Sequence, residues 1–223
     1  KRIVEDTLFG GKANIFSKTS VATVQQASSE KIAQLLQEGV GFIQYFGHSS
    51  ANTFEFNLSN PENYNNTGKY PFFSVSGCTA GNYFTYNPAR VTGGDLTTSE
   101  KYIFANQKGS IGFLASTHFG IPYALHNYNL RLYKDFSLLM YGQSIGAQLK
   151  DVTQTLGGND PNLDFYTRIH LEEINLHGDP AIKINHFPKS DYVIEDPSVK
   201  INPSIISVAD LSFNVKIEMR NIG

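Results

Sequence analysis

The segment GVGFIQYFGHSS, residues 39–50, indicates how this chain folds. Residues 40–46 are apolar nearly throughout, and such a run is typical of a parallel strand that is covered on both faces. Gly47 and His48 follow at the point where the strand should end. The histidine is therefore either an ordinary loop residue or part of a site at the strand end.

Two further segments have the same apolar character, YPFFSVSGCTAG at residues 70–81 and GSIGFLAST at residues 109–117. Helical patterns lie before, between and after these strands. Strands that alternate with helices predict an α/β domain with a mainly parallel sheet flanked by helices. HGDPAIKI, residues 177–184, predicts a sharp turn at Gly178 and Pro180 that leads into a short fourth strand. The predicted helices cover residues 28–39, 94–108, 124–140, 143–156 and 163–176.

The composition is that of a globular protein, with 223 residues, 40% hydrophobic residues and a formal net charge of −2. No block of basic residues favours nucleic acid or an anionic membrane surface as a partner. No apolar window is long enough for a membrane-spanning helix. The first residues, KRIVEDTLFG, lack an initiator Met and the apolar core of a signal peptide, so we expect the chain to begin inside a longer protein.

The composition changes after residue 188, which divides the sequence into three parts. We expect an α/β domain over residues 1–188 and a Pro-rich linker over residues 189–198. Residues 199–223 show the alternation of a β-strand, and this pattern predicts the start of an immunoglobulin-like β-sandwich. The apolar face of that alternation consists of Phe213, Val215, Ile217 and Met219.

His48 and Cys78, the only cysteine, each follow a glycine at the end of an apolar strand. Ligands of open parallel sheets bind outside the carboxyl ends of the strands, so neighbouring strands would bring both side chains to one edge. An imidazole can take the proton of a thiol and later protonate a leaving group. A lone cysteine is most often a small buried residue, and a histidine in a loop usually lies on the surface of the protein. The shared pattern of strand, glycine and reactive residue favours a catalytic pair.

Four segments in order, GFIQYFGHSS, PFFSVSGCTAGNYF, KGSIGFLAST and HGDPAIKI, resemble the gingipain-type cysteine peptidases. This family has a caspase-like α/β fold and includes the sortase-like peptidase of the type IX secretion system of Bacteroidetes. The resemblance covers about residues 25–190. It implies a cysteine endopeptidase, or a secretion-sortase type transpeptidase, that acts on protein or peptide substrates. It also implies an extracellular or cell-surface location and an immunoglobulin-like domain after the catalytic domain. No cofactor is predicted.

The resemblance assigns roles residue by residue. Cys78 would be the nucleophile, His48 the general acid and base, and the backbone N–H groups of Ser49 and Cys78 the oxyanion donors. Ser49 stands where the family has glycine, which leaves open a catalytically inactive caspase-like domain that acts as a binding scaffold with an adhesive sandwich module. The family's third catalytic acid comes from an earlier segment, expected before Lys1, and that part of the precursor would be a partner of this chain. Neither Glu55 nor Glu62 is assigned this role.

In the family, the turn after the third strand forms a wall of the substrate pocket. The corresponding loop, STHFGIPY, offers Thr117, His118, Phe119 and Tyr123 as substrate-binding residues. No acidic residue can be tied to the bottom of this pocket, so a preference for Arg or Lys is not predicted.

No metal site is predicted, because His126, His170 and His177 lack the spacing of a metal-binding motif. The Asn-rich loop 57–67 has the oxygen atoms for a structural calcium ion. It contains a single acid, Glu62, so a solvated loop is the preferred interpretation.

Overall fold

Four strands form one sheet in the computed structural model, in the order β1-β2-β3-β4. The first three strands are parallel, and β4 runs antiparallel to β3. The strands are β1 (Phe42–Phe46), β2 (Phe72–Ser76), β3 (Gly112–Ser116) and β4 (Ile174–Gly178). The structure describes residues 2–5, 8–18, 26–56, 58–84, 96–158, 160–184, 192–194, 198–207 and 211–221.

Helices cover both faces of this sheet. Thr97 caps the helix Thr98–Phe104 in a capping box with Glu100, and Ser144 caps the helix Ile145–Gly157. The helices are α1 (Arg2–Glu5), α2 (Gln26–Glu38), α3 (Thr98–Phe104), α4 (Pro122–Lys134), α5 (Ile145–Gly157) and α6 (Phe165–Glu173). A π-helical turn, Asp135–Leu139, continues α4, and a 3₁₀ turn, Pro61–Asn63, lies between β1 and β2.

Successive side chains of β2 and β3 enter two separate hydrophobic clusters, because neighbouring residues in a strand point to opposite faces. Phe73 and Phe113 pack with Tyr102 of α3 on one face. Phe72 and Leu114 belong to the cluster on the other face, with residues of α4 and α5. Every residue of β2 and β3 is buried, and full burial of one such apolar side chain stabilises the fold by about 1.5–3 kcal/mol.

The mixed α/β fold with a mostly parallel sheet and the positions of the first three strands are confirmed. The predicted fourth strand is wrong in position, because β4 ends at Gly178 and residues 179–184 form no strand. Leu176 pairs with Leu114 in antiparallel register, and the helix predicted to residue 176 ends at Glu173. Pro180 lacks the N–H that would continue the ladder.

The predicted β-sandwich is not shown by the described C-terminal residues, which form two two-stranded sheets. Strand β5 (Tyr192–Val193), inside the predicted linker, pairs with β8 (Arg220–Asn221), and β6 (Val199–Asn202) pairs with β7 (Asn214–Ile217). The predicted apolar face of residues 213–219 is exposed, with Phe213 at 51% and Met219 at 67%. The domain boundaries stay predictions, and most of residues 185–198 lie outside the described ranges.

Candidate active site

The turns after β1 and β2 lie against each other at the carboxyl edge of the sheet. Phe46 is the register partner of Ser76, and the N–H of Gly47 donates to the carbonyl of Ser76 at 3.1 Å. The hydroxyl of Ser49 donates to the carbonyl of Cys78 at 2.8 Å. The structure therefore confirms that the two strands are neighbours and that both turns leave the same edge.

Gly77 is a glycine because the two turns approach so closely. A Cβ atom at this position would lie 2.7 Å from the carbonyl oxygen of Gly47 and 2.3 Å from the Ser49 hydroxyl oxygen. Both distances are shorter than van der Waals contact, and one of the two neighbours is backbone. Any larger residue would push the Cys78 turn away from the His48 turn.

Cys78 is a free, half-buried cysteine. The backbone N–H of Gly120, in the loop after β3, donates to its sulfur at 3.4 Å. Thr79 has a positive φ of 53°, and its N–H donates to the carbonyl of His118 at 2.8 Å. The loop after β3 therefore holds the thiol from one side, while the turn after β1 holds its backbone from the other.

The backbone of His48 is anchored to the protein core, although its side chain is exposed. The buried Tyr45 hydroxyl donates to the carbonyl of His48 and lies 3.4 Å from a Glu55 carboxylate oxygen. Burial raises the pKa of Tyr45 to about 12, so the hydroxyl keeps its proton at neutral pH. Phe54 stacks on Tyr45 with ring centroids 5.1 Å apart, and Ser49 pairs with Phe54 in a β-bridge.

Neither Glu55 nor Glu62 orients the imidazole of His48. Glu55 forms an ion pair with Lys18 at 2.6 Å, and Glu62 forms one with Lys108 at 3.0 Å. Within the described ranges, the His48 side chain has no hydrogen-bond partner.

The two backbone N–H groups expected to hold an oxyanion are those of Ser49 and Cys78. Among the residues that the structure describes, neither group donates to a protein acceptor. The Ser49 hydroxyl is directed to the Cys78 carbonyl, and the bridge to Phe54 is made through Ser50 N–H and Thr53 carbonyl at 3.0 Å. The role of both N–H groups as oxyanion donors stays a prediction.

The loop expected to bind substrate reaches the thiol through its backbone, and its aromatic side chains are exposed. Phe119 is 64% exposed and packs edge-on against the ring of His118 at 4.5 Å. Tyr123 is 48% exposed, and its hydroxyl donates to Asp164 at 2.6 Å. Thr117 is half-buried at the start of the loop. Their role in substrate binding stays a prediction.

Three polar residues at this loop have a structural role that the sequence did not predict, since His170 was considered only as a metal ligand. Ser116, His170 and Glu173 are all buried, with His170 only 1% exposed, and they are hydrogen-bonded to one another or to the loop backbone. His170 and Glu173 lie three residues apart and so share one face of α6. Two polar residues at that spacing also occur on solvated helix faces, so the pattern alone could not show that they are buried.

The described residues contain no cluster of three or more His, Cys, Asp or Glu side chains that could hold a metal ion. In the loop proposed for calcium, the side-chain oxygen of Asn66 accepts from Gly109 N–H, and that of Asn60 accepts from Glu62 N–H. His177 lies on β4, where burial lowers its pKa, and lines a groove of about 330 Å³ with Tyr83. The calcium site stays a prediction.

The structure is thus an α/β domain in which the turns after β1 and β2 meet at the carboxyl edge of the sheet. The sequence matches Peptidase family C25 over residues 2–185, and the chain belongs to this family, the family of the gingipains. The resemblance inferred from the four sequence segments is thereby confirmed. This family is a family of cysteine peptidases.

Solved structures of gingipains share the fold. The complex of the pro- and mature domains of RgpB from Porphyromonas gingivalis is 14% identical, with a TM-score of 0.57 over 77% of this chain and 40% of that chain. The crystal structure of the Arg-specific cysteine proteinase gingipain R is also 14% identical, with a TM-score of 0.56 over 77% of this chain and 39% of that chain. The chain therefore spans about 40% of the length of these relatives. No curated protein sequence matches it significantly.

Within the described ranges, no helix is both long enough and apolar enough to cross a membrane.

Proposed function

We propose that this chain carries the nucleophile and the proton carrier of a cysteine endopeptidase, Cys78 and His48. The observation that supports this most strongly is the junction of the two turns, where the Ser49 hydroxyl donates to the Cys78 carbonyl at 2.8 Å. This contact brings the backbones of the histidine turn and the cysteine turn to one edge of the sheet. Family membership supports the reaction class, and the contact between the two turns supports the choice of Cys78 and His48.

In the proposed reaction, the imidazole of His48 takes the proton of the Cys78 thiol, and the sulfur attacks the peptide carbonyl carbon. The new C–S bond leaves a negative charge on the carbonyl oxygen. As the C–N bond breaks, His48 returns the proton to the departing amine and a thioester remains on Cys78. A water molecule that loses its proton to His48 then attacks the thioester and releases the acid and the thiol.

The N–H groups of Ser49 and Cys78 are proposed to bind the oxyanion, where each donor contributes roughly 3 kcal/mol in acyl-transfer enzymes. A serine at position 49 supports rather than opposes this role, because its hydroxyl is directed to the Cys78 carbonyl and leaves its N–H unpartnered among the described residues. The inactive scaffold is therefore the less favoured interpretation.

The substrate is proposed to lie along the loop after β3, against His118, Phe119 and Tyr123 with Thr117 at its base. We place the activity outside the cell or at its surface, as the family resemblance implies. We also include a pro-domain among the partners, by analogy with the complex formed by RgpB.

Replacement of the two central residues tests the proposal. Cys78→Ala should abolish cleavage of an unfolded protein substrate, and His48→Ala should lower kcat/KM by about 10²–10⁴-fold because proton transfer is lost. Iodoacetamide should label Cys78 at neutral pH. His126→Ala, which changes an exposed histidine of α4, is the matched control and should leave cleavage unchanged. Undiminished cleavage by Cys78→Ala would contradict the proposal.

A sortase-type reaction would use the same thioester, with an amine in place of water. Cleavage in the presence of an amino-acid ester should then yield a product that carries the added amine, as measured by mass spectrometry. Hydrolysis products alone would assign the chain to the endopeptidases.

A further inference from the structure

The loop of residues 117–121 between β3 and α4 brings the Gly120 N–H to the sulfur of Cys78 at 3.4 Å. A Cβ atom on Gly120 would lie 3.0 Å from the carbonyl oxygen of Gly77. The loop therefore packs closely against the residue that precedes Cys78.

The first end of this loop is tied to Glu173, which is 8% exposed. The hydroxyl of Ser116 donates to a Glu173 carboxylate oxygen at 2.8 Å, and the N–H of Thr117 donates to the Glu173 carbonyl at 3.0 Å. The other carboxylate oxygen of Glu173 is buried and has no partner among the described residues. A buried carboxylate with so few donors is costly, which indicates a role that packing alone does not explain.

The second end of the loop is tied to His170. The N–H of Ile121 donates to Nε2 of His170 at 2.8 Å, and Nδ1 lies 2.7 Å from the carbonyl oxygen of Tyr166. A carbonyl oxygen can only accept, so Nδ1 carries the proton and Nε2 is the acceptor. The imidazole is therefore neutral in this arrangement, and Nε2 lies 3.6 Å from the Glu173 carboxylate.

We propose that His170 and Glu173 are positioning residues that clamp both ends of the loop and thereby hold the Gly120 N–H on the Cys78 sulfur. This role rests on the proposed function, because it concerns the same nucleophile. An N–H donated to sulfur favours the thiolate, the form that attacks the substrate. The clamp thus links two buried residues of α6 to the reactivity of a thiol on another element.

His170→Phe tests the clamp, because it keeps a ring but removes the acceptor for the Ile121 N–H. His170→Gln is the conservative variant, since its side-chain carbonyl can take the place of Nε2. The readouts are amide hydrogen exchange over residues 117–121, the rate of Cys78 alkylation by iodoacetamide, and kcat and KM for peptide cleavage. All are measured well below the unfolding temperature of each variant, which is determined separately.

In His170→Phe, exchange over residues 117–121 should rise about tenfold while β1, β2 and β3 keep their protection, as expected for the loss of one hydrogen bond. Alkylation should slow about threefold or more, and kcat should fall more than KM changes. His170→Gln should restore exchange and alkylation toward the values of the original chain. If His170→Phe does not fold, Ser116→Ala removes the side-chain bond at the other end of the loop and should change exchange and alkylation in the same direction.

Two results would overturn the clamp. One is a folded His170→Phe with unchanged loop exchange and unchanged or faster alkylation. The other is an even rise in exchange over the whole sheet, which would show a purely structural role. Failure of the original chain to cleave peptides would instead overturn the proposed function. Hydrogen exchange of the loop and alkylation of Cys78 do not depend on cleavage, so they would still show whether the clamp exists.

Discussion

The turns that follow β1 and β2 occupy equivalent places on neighbouring strands, yet they hold their reactive residues differently. The sulfur of Cys78 is half-buried and accepts a hydrogen bond from Gly120, so the side chain itself is fixed. His48 is fixed only through its carbonyl, which accepts from Tyr45, and its exposed imidazole has no partner among the described residues. The proposed nucleophile is thus held through its side chain, whereas the proposed proton carrier is held only through its backbone.

This difference indicates how each turn should respond to mutation. Changes at the junction should affect both residues, and changes beneath His48 should affect proton transfer but not the thiol. Changes elsewhere in the core should affect stability without activity. The following variants separate these cases.

Gly77→Ala should have the largest effect, because its Cβ would clash with the Gly47 carbonyl and the Ser49 hydroxyl. We expect kcat/KM to fall by about 100-fold or more from misplacement of the thiol, with a loss of about 1–3 kcal/mol in the free energy of unfolding. Peptide cleavage and denaturant unfolding measure the two effects. Gly157→Ala is the control, since a Cβ there meets only the end of the Leu171 side chain at 2.9 Å. Equal activity of the two variants would show that the junction is not needed.

Tyr45→Phe removes the hydroxyl beneath His48 and should lower kcat about tenfold, with a loss of about 1–2 kcal/mol in the free energy of unfolding. Tyr102→Phe is the matched control, because its buried hydroxyl donates to the Leu58 carbonyl at 3.0 Å, in the core rather than at a turn. Steady-state kinetics of both variants measure the contrast. If both lose stability equally and both keep full activity, the brace under His48 has no catalytic role.

Ser49→Ala should have a smaller effect, because it removes one hydrogen bond between the turns and leaves the Ser49 N–H in place. A loss of about 1 kcal/mol corresponds to roughly fivefold in kcat/KM, if the bond matters only for positioning. Ser49→Gly should retain activity, since glycine keeps the same N–H. Abolished cleavage in Ser49→Ala would mean that the hydroxyl itself takes part in the reaction.

Asp135→Asn should change stability without changing cleavage. Burial raises the pKa of Asp135 from 3.8 to about 6, despite the opposing effect of Arg131. Because the folded state holds this proton more tightly, ionisation of Asp135 destabilises the fold as the pH rises from about 4 to about 6. The variant should therefore gain up to about 3 kcal/mol relative to the original chain between pH 4 and pH 7, as measured by denaturant unfolding at both values. A relative stability that does not depend on pH would contradict this.

Periodicity and turn chemistry predicted the first three strands and the residues at their ends, because apolar runs bounded by glycine are local signals. The strand at Ile174–Gly178 was misplaced, since its pairing with β3 is a tertiary contact and the Gly178 turn comes after it rather than before it. The bracing of His48 by Tyr45 and the clamp of His170 were beyond sequence reasoning for the same reason. Each joins residues whose proximity only the folded chain creates.

Trapping the acyl-enzyme tests most directly whether Cys78 is the nucleophile. The chain is mixed with a peptide ester, quenched in acid and digested, and the modified residue is located by mass spectrometry. We expect a thioester on Cys78 that forms more slowly in His48→Ala and is absent in Cys78→Ala. Turnover of the ester with no adduct on Cys78, or turnover that persists in Cys78→Ala, would contradict it.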